Sequence, residues 1–304
     1  MTPKSAAEIP ADHIARIRRF HRAVTTEVGL LDASFLGRGR PLGPARVLNA
    51  IGQGIREISE IRAYLRLDSG LMSRLLRGLE TEGLIVLDAD PGDSRKRRAR
   101  LTDSGAAEVA IYEALSDQQA TTILAAHPRP DALLAAMDLV ASALGRTRIA
   151  LDEVPPDAPE AQLALHAYYT ELGHRLKQGF DVNLSCDPEA GAMTAPRGAF
   201  LVARSDGMVI GCAGLKGTDK GYAEIKRVWV APSARGLGLA RQMMAGLEAR
   251  AAALGISCLR LDTNSALPEA VALYRALGWA EIPRFNDDPY PDLFFEKNLG
   301  AAGA

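Results

Sequence analysis

Two glycines stand two residues apart in VWVAPSARGLGLARQMM (228–244), between an extended apolar run and a helical one. In Arg235-Gly236-Leu237-Gly238-Leu239-Ala240 the glycines remove β-carbons where a backbone can approach a ligand. The helix that follows aims free N–H groups and the positive end of its dipole at that ligand. An anion such as pyrophosphate suits this loop. A dinucleotide fold does not, because the full G-x-G-x-x-G is missing and Asp262 follows the wrong number of elements. A second feature is DSRKRRARLT (93–102), where five of the six positions from Arg95 to Arg100 are cationic. Such a run is a solvated loop, part of a helix face, or a basic finger laid against phosphates.

The elements that must position the cationic run are helical. ADHIARIRRFHRAVTTEVGLL (11–31) spaces Ile14, Ile17, Val24, Val28 and Leu31 along one helix face. After the breaker GRGRPLGP, the segments ARVLNAIGQG, ISEIRAYLRL and SGLMSRLLRGLETEG predict three short helices, with Asp68-Ser69 as an N-cap. Two extended runs follow around the turn Asp90-Pro91-Gly92-Asp93, and helices over about 103–125 and 130–148 close this half. Three helices and a hairpin are the parts of a winged helix-turn-helix, with Asp68–Glu82 as the recognition helix for a major groove. Arg74 and Arg77 share a face, Ser69 and Ser73 are short enough for close contact, and Leu71, Leu75, Leu76 and Leu79 bury the other side. Arg95, Lys96, Arg97 and Arg98 fall at the hairpin tip, within reach of a minor groove or phosphates.

From LGPARVLNAI through LRLDSGLMSRLLRGLETEGLI to DPGDSRKRRARLTDSG the chain resembles the MarR family of winged-helix regulators. The resemblance is carried by SRLLRGLETEGLI and by the wing residues Asp93, Arg95, Leu101 and Thr102. It implies double-stranded DNA bearing a pseudo-palindromic operator as partner, and a homodimer packed through helices 11–31 and 103–148. It also implies that Asp93 braces the wing arginine. Arg74 as a plain surface charge and Asp93 as a turn acid are the other readings.

LDEVPPDAPEAQ (151–162) holds three prolines and four acids, a composition that discourages helix and sheet. Its first part reads as a linker, 151–160, between domains at 1–150 and 161–304, and 304 residues exceed one compact core. Beyond it a helix near 159–178 leads into AFLVARS, MVIGCAGLK, YAEIKRVWVA, a helix from Leu239, CLRLDTN, a helix PEAVALYRALG, and DLFFEKNL. That alternation predicts an α/β domain with a mixed sheet. The fold class is therefore multidomain, a mainly α winged helix-turn-helix followed by an α/β domain.

Over roughly 160–299, with its R-x-x-G-x-A pattern, AEIKRVWVAP, LRLDTN, EAVALYRALGW and FFEKNL, the second half resembles the GNAT acyltransferase superfamily. The resemblance implies acetyl-CoA, its pyrophosphate on Arg235 to Ala240 and especially the amides from Leu237, and its pantetheine along the main chain of Val228 and Val230. It further implies Glu224 as general base, Tyr274 as general acid to the CoA sulfur, and Asn264 as a polar contact to pantetheine or water. N-acetyl transfer needs an amine deprotonated, a thioester carbonyl polarised and a thiolate protonated. Glu224 paired with Lys226 or Arg227, and Tyr274 at a core edge, are the alternatives. Tyr168, Tyr169 and Tyr290 either shape an acceptor pocket or pack.

Formal net charge is −1, but residues 1–150 carry 21 Lys+Arg against 18 Asp+Glu, and residues 151–304 carry 15 against 19. Cys186, Cys212 and Cys258 form no CxxC pair, and the five histidines show no metal-ligand spacing. No signal peptide core and no long apolar run occur, so a soluble cytoplasmic protein without metal or membrane is expected. The reading is a bifunctional regulator and N-acetyltransferase acting on a small primary amine. A regulator whose second half only senses acyl-CoA or an amine, or a first half that merely dimerises, are the competing readings.

Overall fold

The computed structural model describes residues 10–89, 96–185 and 192–300. Its contacts divide the chain into two compact units, 1–128 and 129–304. In the first, α1 (Ala11–Glu27) precedes a short 3-10 turn, then α2 (Leu42–Gly52), α3 (Ile58–Leu65), α4 (Ser69–Thr81), β1 (Ile85–Ala89), β2 (Arg97–Leu101) and α5 (Asp103–Ala126). The first helix stops short of residue 31 because Gly29 turns left-handed at φ 60°. Asp68 caps α4 as expected, its carboxylate accepting from the Leu71 N–H at 2.9 Å, and these backbone donors hold its pKa below the ordinary range.

The buried stripe of α4 is Met72, Leu76 and Leu79; Leu71 and Leu75 flank it half-buried, which corrects the expected inner face. Met72 and Leu79 join Val47, Leu48, Ile61 and Ile85 in one core. Gly105 lets α5 press on the chain leaving α4, since a β-carbon there would stand 1.9 Å from the Leu84 carbonyl oxygen. β1 and β2 pair antiparallel from Ile85↔Leu101 to Ala89↔Arg97. Arg97 and Arg98 are therefore strand residues and not the hairpin tip. The turn, with the expected wing residues Asp93 and Arg95, lies outside the described residues, as does Cys186.

The second unit contains α6 (Pro130–Gly145), β3 (Ala150–Glu153), α7 (Pro159–Arg175), β4 (Ala199–Ser205), β5 (Met208–Gly217) and β6 (Ala223–Val230). After these come α8 (Leu239–Ala253), β7 (Cys258–Thr263), α9 (Pro268–Ala276), β8 (Ala280–Glu281) and β9 (Leu293–Asn298). Its sheet runs β3-β4-β5-β6-β7-β9-β8, with β6 and β7 the parallel pair. One face packs α8 and α9 through residues such as Ile225, Met243, Leu247 and Phe295; α7 covers the other through Ala161, Ala164 and Leu165. Two boundary expectations need correction. α6 groups with this unit, so the division falls at 128 and not at 150. Residues 151–153, expected in the linker, form an edge strand because β4 supplies partners from Ala150↔Arg204 to Glu153↔Leu201. Among the described residues no helix is long and apolar enough to cross a membrane.

Candidate functional site

β6 and β7 share ladder positions only over Ala223–Ile225 and Leu259–Leu261. Beyond them a cavity opens, with Val228 on one bank and Thr263 on the other. A bulge contributes: Lys226 pairs with Gly214 and Trp229 with Cys212, so β6 carries one extra residue. Arg227 takes φ 55° in this bulge, a strained conformation that its surroundings must hold. It is held. Its carbonyl accepts from Cys212 Sγ at 3.3 Å, and its Nε donates to Tyr169 Oη at 2.7 Å. Burial pushes the Cys212 thiol up to about 12, so it stays a thiol.

Past Val230 the chain makes a 3-10 turn at Pro232–Ala234 and enters α8 through Gly236 (φ 77°) and Gly238 (φ 84°), the latter as N-cap. A β-carbon on either glycine would meet nothing within 4 Å, so the loop faces open space. That space belongs to a cavity of about 380 Å³ lined by Gly236, Gly238, Ala240 and Arg241 at one end and by Val228 and Tyr274 at the other. The first-turn N–H groups of α8 have no intrahelical acceptors, and its dipole is positive there. The donor set and the bare backbone fit a pyrophosphate, and the apolar remainder fits an extended tether. Arg235 plays a different part from the one expected. Its Nη2 donates to both Glu171 oxygens at 2.6 Å and its Nε to the Val230 carbonyl at 3.1 Å, clamping the loop to α7. Desolvation would raise the Glu171 pKa, but hydrogen bonds from Arg235, Trp229 and Arg175 hold it below the ordinary range.

A smaller cavity of about 110 Å³ adjoins the first across Tyr168, Leu172, Val228, Leu267, Ala270 and Tyr274. Glu224 is buried and lines neither cavity; its Oε2 lies 3.2 Å from Lys226 Nζ. Lys226 also donates to Asp262 Oδ2 at 2.7 Å, and Asn286 donates to the same oxygen at 2.6 Å. Desolvation works to lower the Lys226 pKa, but the two carboxylates outweigh it and raise it. Lys226 and Asp262, not Glu224, face the cavity. Asp262 went unnoticed as a site residue, although its two-residue spacing from Asn264 in CLRLDTN carried the signal. Tyr274 lines both cavities, and burial with the nearby Asp262 charge drives its hydroxyl above the phenol range. Asn264 lines the small cavity but uses its carboxamide locally, donating to the Tyr290 carbonyl at 2.6 Å and accepting from Ala266 N–H at 2.8 Å. Tyr168, Tyr169 and Tyr290 do line the small cavity, joined by the unanticipated Phe180.

In the first unit, Ser69, Ser73, Arg74 and Arg77 are exposed on α4. Ser69, Ser73 and Arg77 line a concavity with Arg62, Lys96 and Arg97, between α3, α4 and the hairpin. Arg62 was not foreseen; only the approach of α3 to α4 brings it there. Lys96 is paired with Glu57 at 2.7 Å and Arg100 with Asp88 at 2.9 Å, so part of the wing charge is balanced within the protein. Arg98 lies half-buried beside Glu57 in an isolated β-bridge.

Residues 158–279 match the acetyltransferase (GNAT) family, and residues 39–96 match the MarR family. An IAA acetyltransferase of Azospirillum brasilense is 43% identical over 105 residues, covering 33% of this chain and 67% of that protein. An uncharacterized N-acetyltransferase of Schizosaccharomyces pombe is 29% identical over 146 residues, covering 47% and 88%. Among solved structures, a GNAT-family acetyltransferase from Staphylococcus aureus aligns with a TM-score of 0.44 at 19% identity, over 50% of this chain and 99% of that one.

Proposed function

Because the chain belongs to the GNAT acetyltransferase family and carries a MarR-family region ahead of that domain, we propose that it is a DNA-binding regulator that also transfers the acetyl group of acetyl-CoA to a small primary amine. The carrying observation is the meeting of two cavities at Tyr274, one ending on the glycine loop and the other on a buried lysine and carboxylate cluster. When bound, acetyl-CoA supplies a thioester acyl group and a thiolate leaving group. The amides from Leu237 to Ala240, at the entry to α8, would hold its pyrophosphate, and the main chain of Val228 and Val230 would flank its tether. Asp262 takes the proton from the acceptor ammonium. Glu224 acts through Lys226 as a positioning residue, replacing its expected role as base. Tyr274, kept protonated by burial, gives a proton at the sulfur.

On the DNA side, Ser69, Ser73, Arg74 and Arg77 meet the duplex with Arg62 and Arg97 beside them. No residue of α1 is buried, and Ile14, Ile17, Val24 and Leu31 are exposed on it and just beyond it; a second copy of the chain covers this stripe and makes the dimer. The free thiols Cys212 and Cys258 suit the reducing cytoplasm.

Mass spectrometry of the full chain with acetyl-CoA and an amine panel tests the transfer. Acetylated product that disappears in Asp262→Asn supports it. Coenzyme binding without turnover of any amine refutes transfer and leaves a sensor.

A further inference from the structure

We infer that the acceptor amine carries a single aromatic ring on a short tether, and that this ring docks on the wall made by Tyr169, Phe180 and Tyr290. This rests on the acetyl-transfer reading and narrows its substrate class.

The wall is assembled from three separate stretches of chain. Tyr168 and Tyr169 come from α7, Phe180 from the segment after it, and Tyr290 from the loop before β9. Ring centroids step from Tyr168 to Tyr169 at 5.5 Å, from Tyr169 to Phe180 at 5.5 Å, and from Phe180 to Tyr290 at 4.7 Å. All four rings line the small cavity and remain half-buried, so they face a void where core rings would face side chains. The wall is held in place. Tyr290 Oη accepts from Asp181 N–H at 2.8 Å and donates to the Asp181 carbonyl at 3.1 Å. Arg284 gathers the Asp288 and Pro291 carbonyls at 2.9 and 2.8 Å, and Asn264 ties the Tyr290 carbonyl.

The opposite side is ionic. Glu224 and Asp262 share the single ammonium of Lys226, and the buried Arg227 and Asp288 line the small cavity, so two cations are set against three carboxylates, one negative charge in excess. An acceptor ammonium offsets that excess, and the cluster is the end to which the amine is drawn. Size sets an upper limit. The void measures about 110 Å³, below the ~150 Å³ of a cavity that admits benzene, so nothing bulkier than one ring is accommodated.

The test compares kcat/KM of the full chain for phenethylamine, cyclohexylethylamine, hexylamine and cadaverine, following release of the CoA thiol, in the wild type and in Phe180→Leu. Ring stacking predicts phenethylamine preferred over its saturated twin about ten-fold. In Phe180→Leu, which keeps bulk but loses the ring, that preference should shrink towards one; a ratio of rates is immune to a partly misfolded sample. Equal or better use of hexylamine or cadaverine overturns the inference while leaving acetyl transfer intact, and so does a preference unchanged in Phe180→Leu. Turnover of none of the four, with acetyl-CoA binding retained by calorimetry, overturns the inference; whether the broader amine panel is acetylated then decides the transfer reading separately.

Discussion

Replacing Lys226 with Met strands two carboxylates that now share one ammonium. Nζ stands 2.7 Å from Asp262 and 3.2 Å from Glu224, and all three side chains are nearly inaccessible. At an effective dielectric near 20, each contact is worth roughly 5–6 kcal/mol before desolvation is subtracted. Removing one partner of a buried pair leaves a net deficit of about 3–5 kcal/mol. The pH dependence follows from the signs. The raised Lys226 pKa means its contribution is complete below the ordinary lysine value and fades only as pH rises through the folded one. The lysine's contribution is thus constant between about pH 5 and pH 8. In Lys226→Met the two carboxylates stand away from water without their cation, which penalises their charged forms. Their penalty then grows as pH climbs past about 4 and relaxes on acidification. Urea unfolding of both proteins at about pH 5 and about pH 8 reads this out, with the larger deficit at the higher pH. The acidic limb of kcat/KM should move to higher pH in the same variant. A deficit under about 1 kcal/mol at the higher pH, or one that grows on acidification, refutes the argument.

Three further outcomes are expected. Gly238→Val forces a branched side chain into φ 84° and into the open face of the loop, so acetyl-CoA affinity by calorimetry should drop about ten-fold or more. Arg77→Ala should weaken binding to duplex DNA and reduce the slope of log affinity against log salt by about one, read by fluorescence anisotropy across a salt series. Glu108, buried on α5, accepts from Arg38 at 2.7 Å and Arg40 at 2.8 Å, and the Arg38 hydrogen bond heads the causes that lower its pKa. Its stabilisation is present above the ordinary carboxylate pKa and lost as pH falls through the lowered one. Glu108→Gln should therefore cost about 1.5–3 kcal/mol near neutrality and little in acid, by thermal melts against pH.

Local order was legible before any coordinates. The Asp68 cap, the strand AFLVARS and the glycine pair ahead of α8 each depend on dihedral preferences and periodicities spanning a few residues. What the chain order could not disclose is which distant groups meet. Arg235 looked like an anion ligand until α7 delivered Glu171, 64 positions away, to its guanidinium. The GRGRP breaker hid Arg38 and Arg40, whose partner Glu108 lies some 70 positions on. Leu151 to Glu153 read as linker because an edge strand is made by its neighbour, here β4.

By itself the sequence determined two units of different texture, their element types, a glycine pair ahead of one helix and an arginine-bearing amphipathic helix in the other unit, since those rest on local backbone chemistry. Tertiary structure alone decided which acid faces the cavity. Glu224 pairs with Arg260 across the β6–β7 ladder, so Asp262 stands two residues further along, where the ladder has ended and the cavity opens; register and not spacing puts Asp262 there and leaves Glu224 behind Lys226.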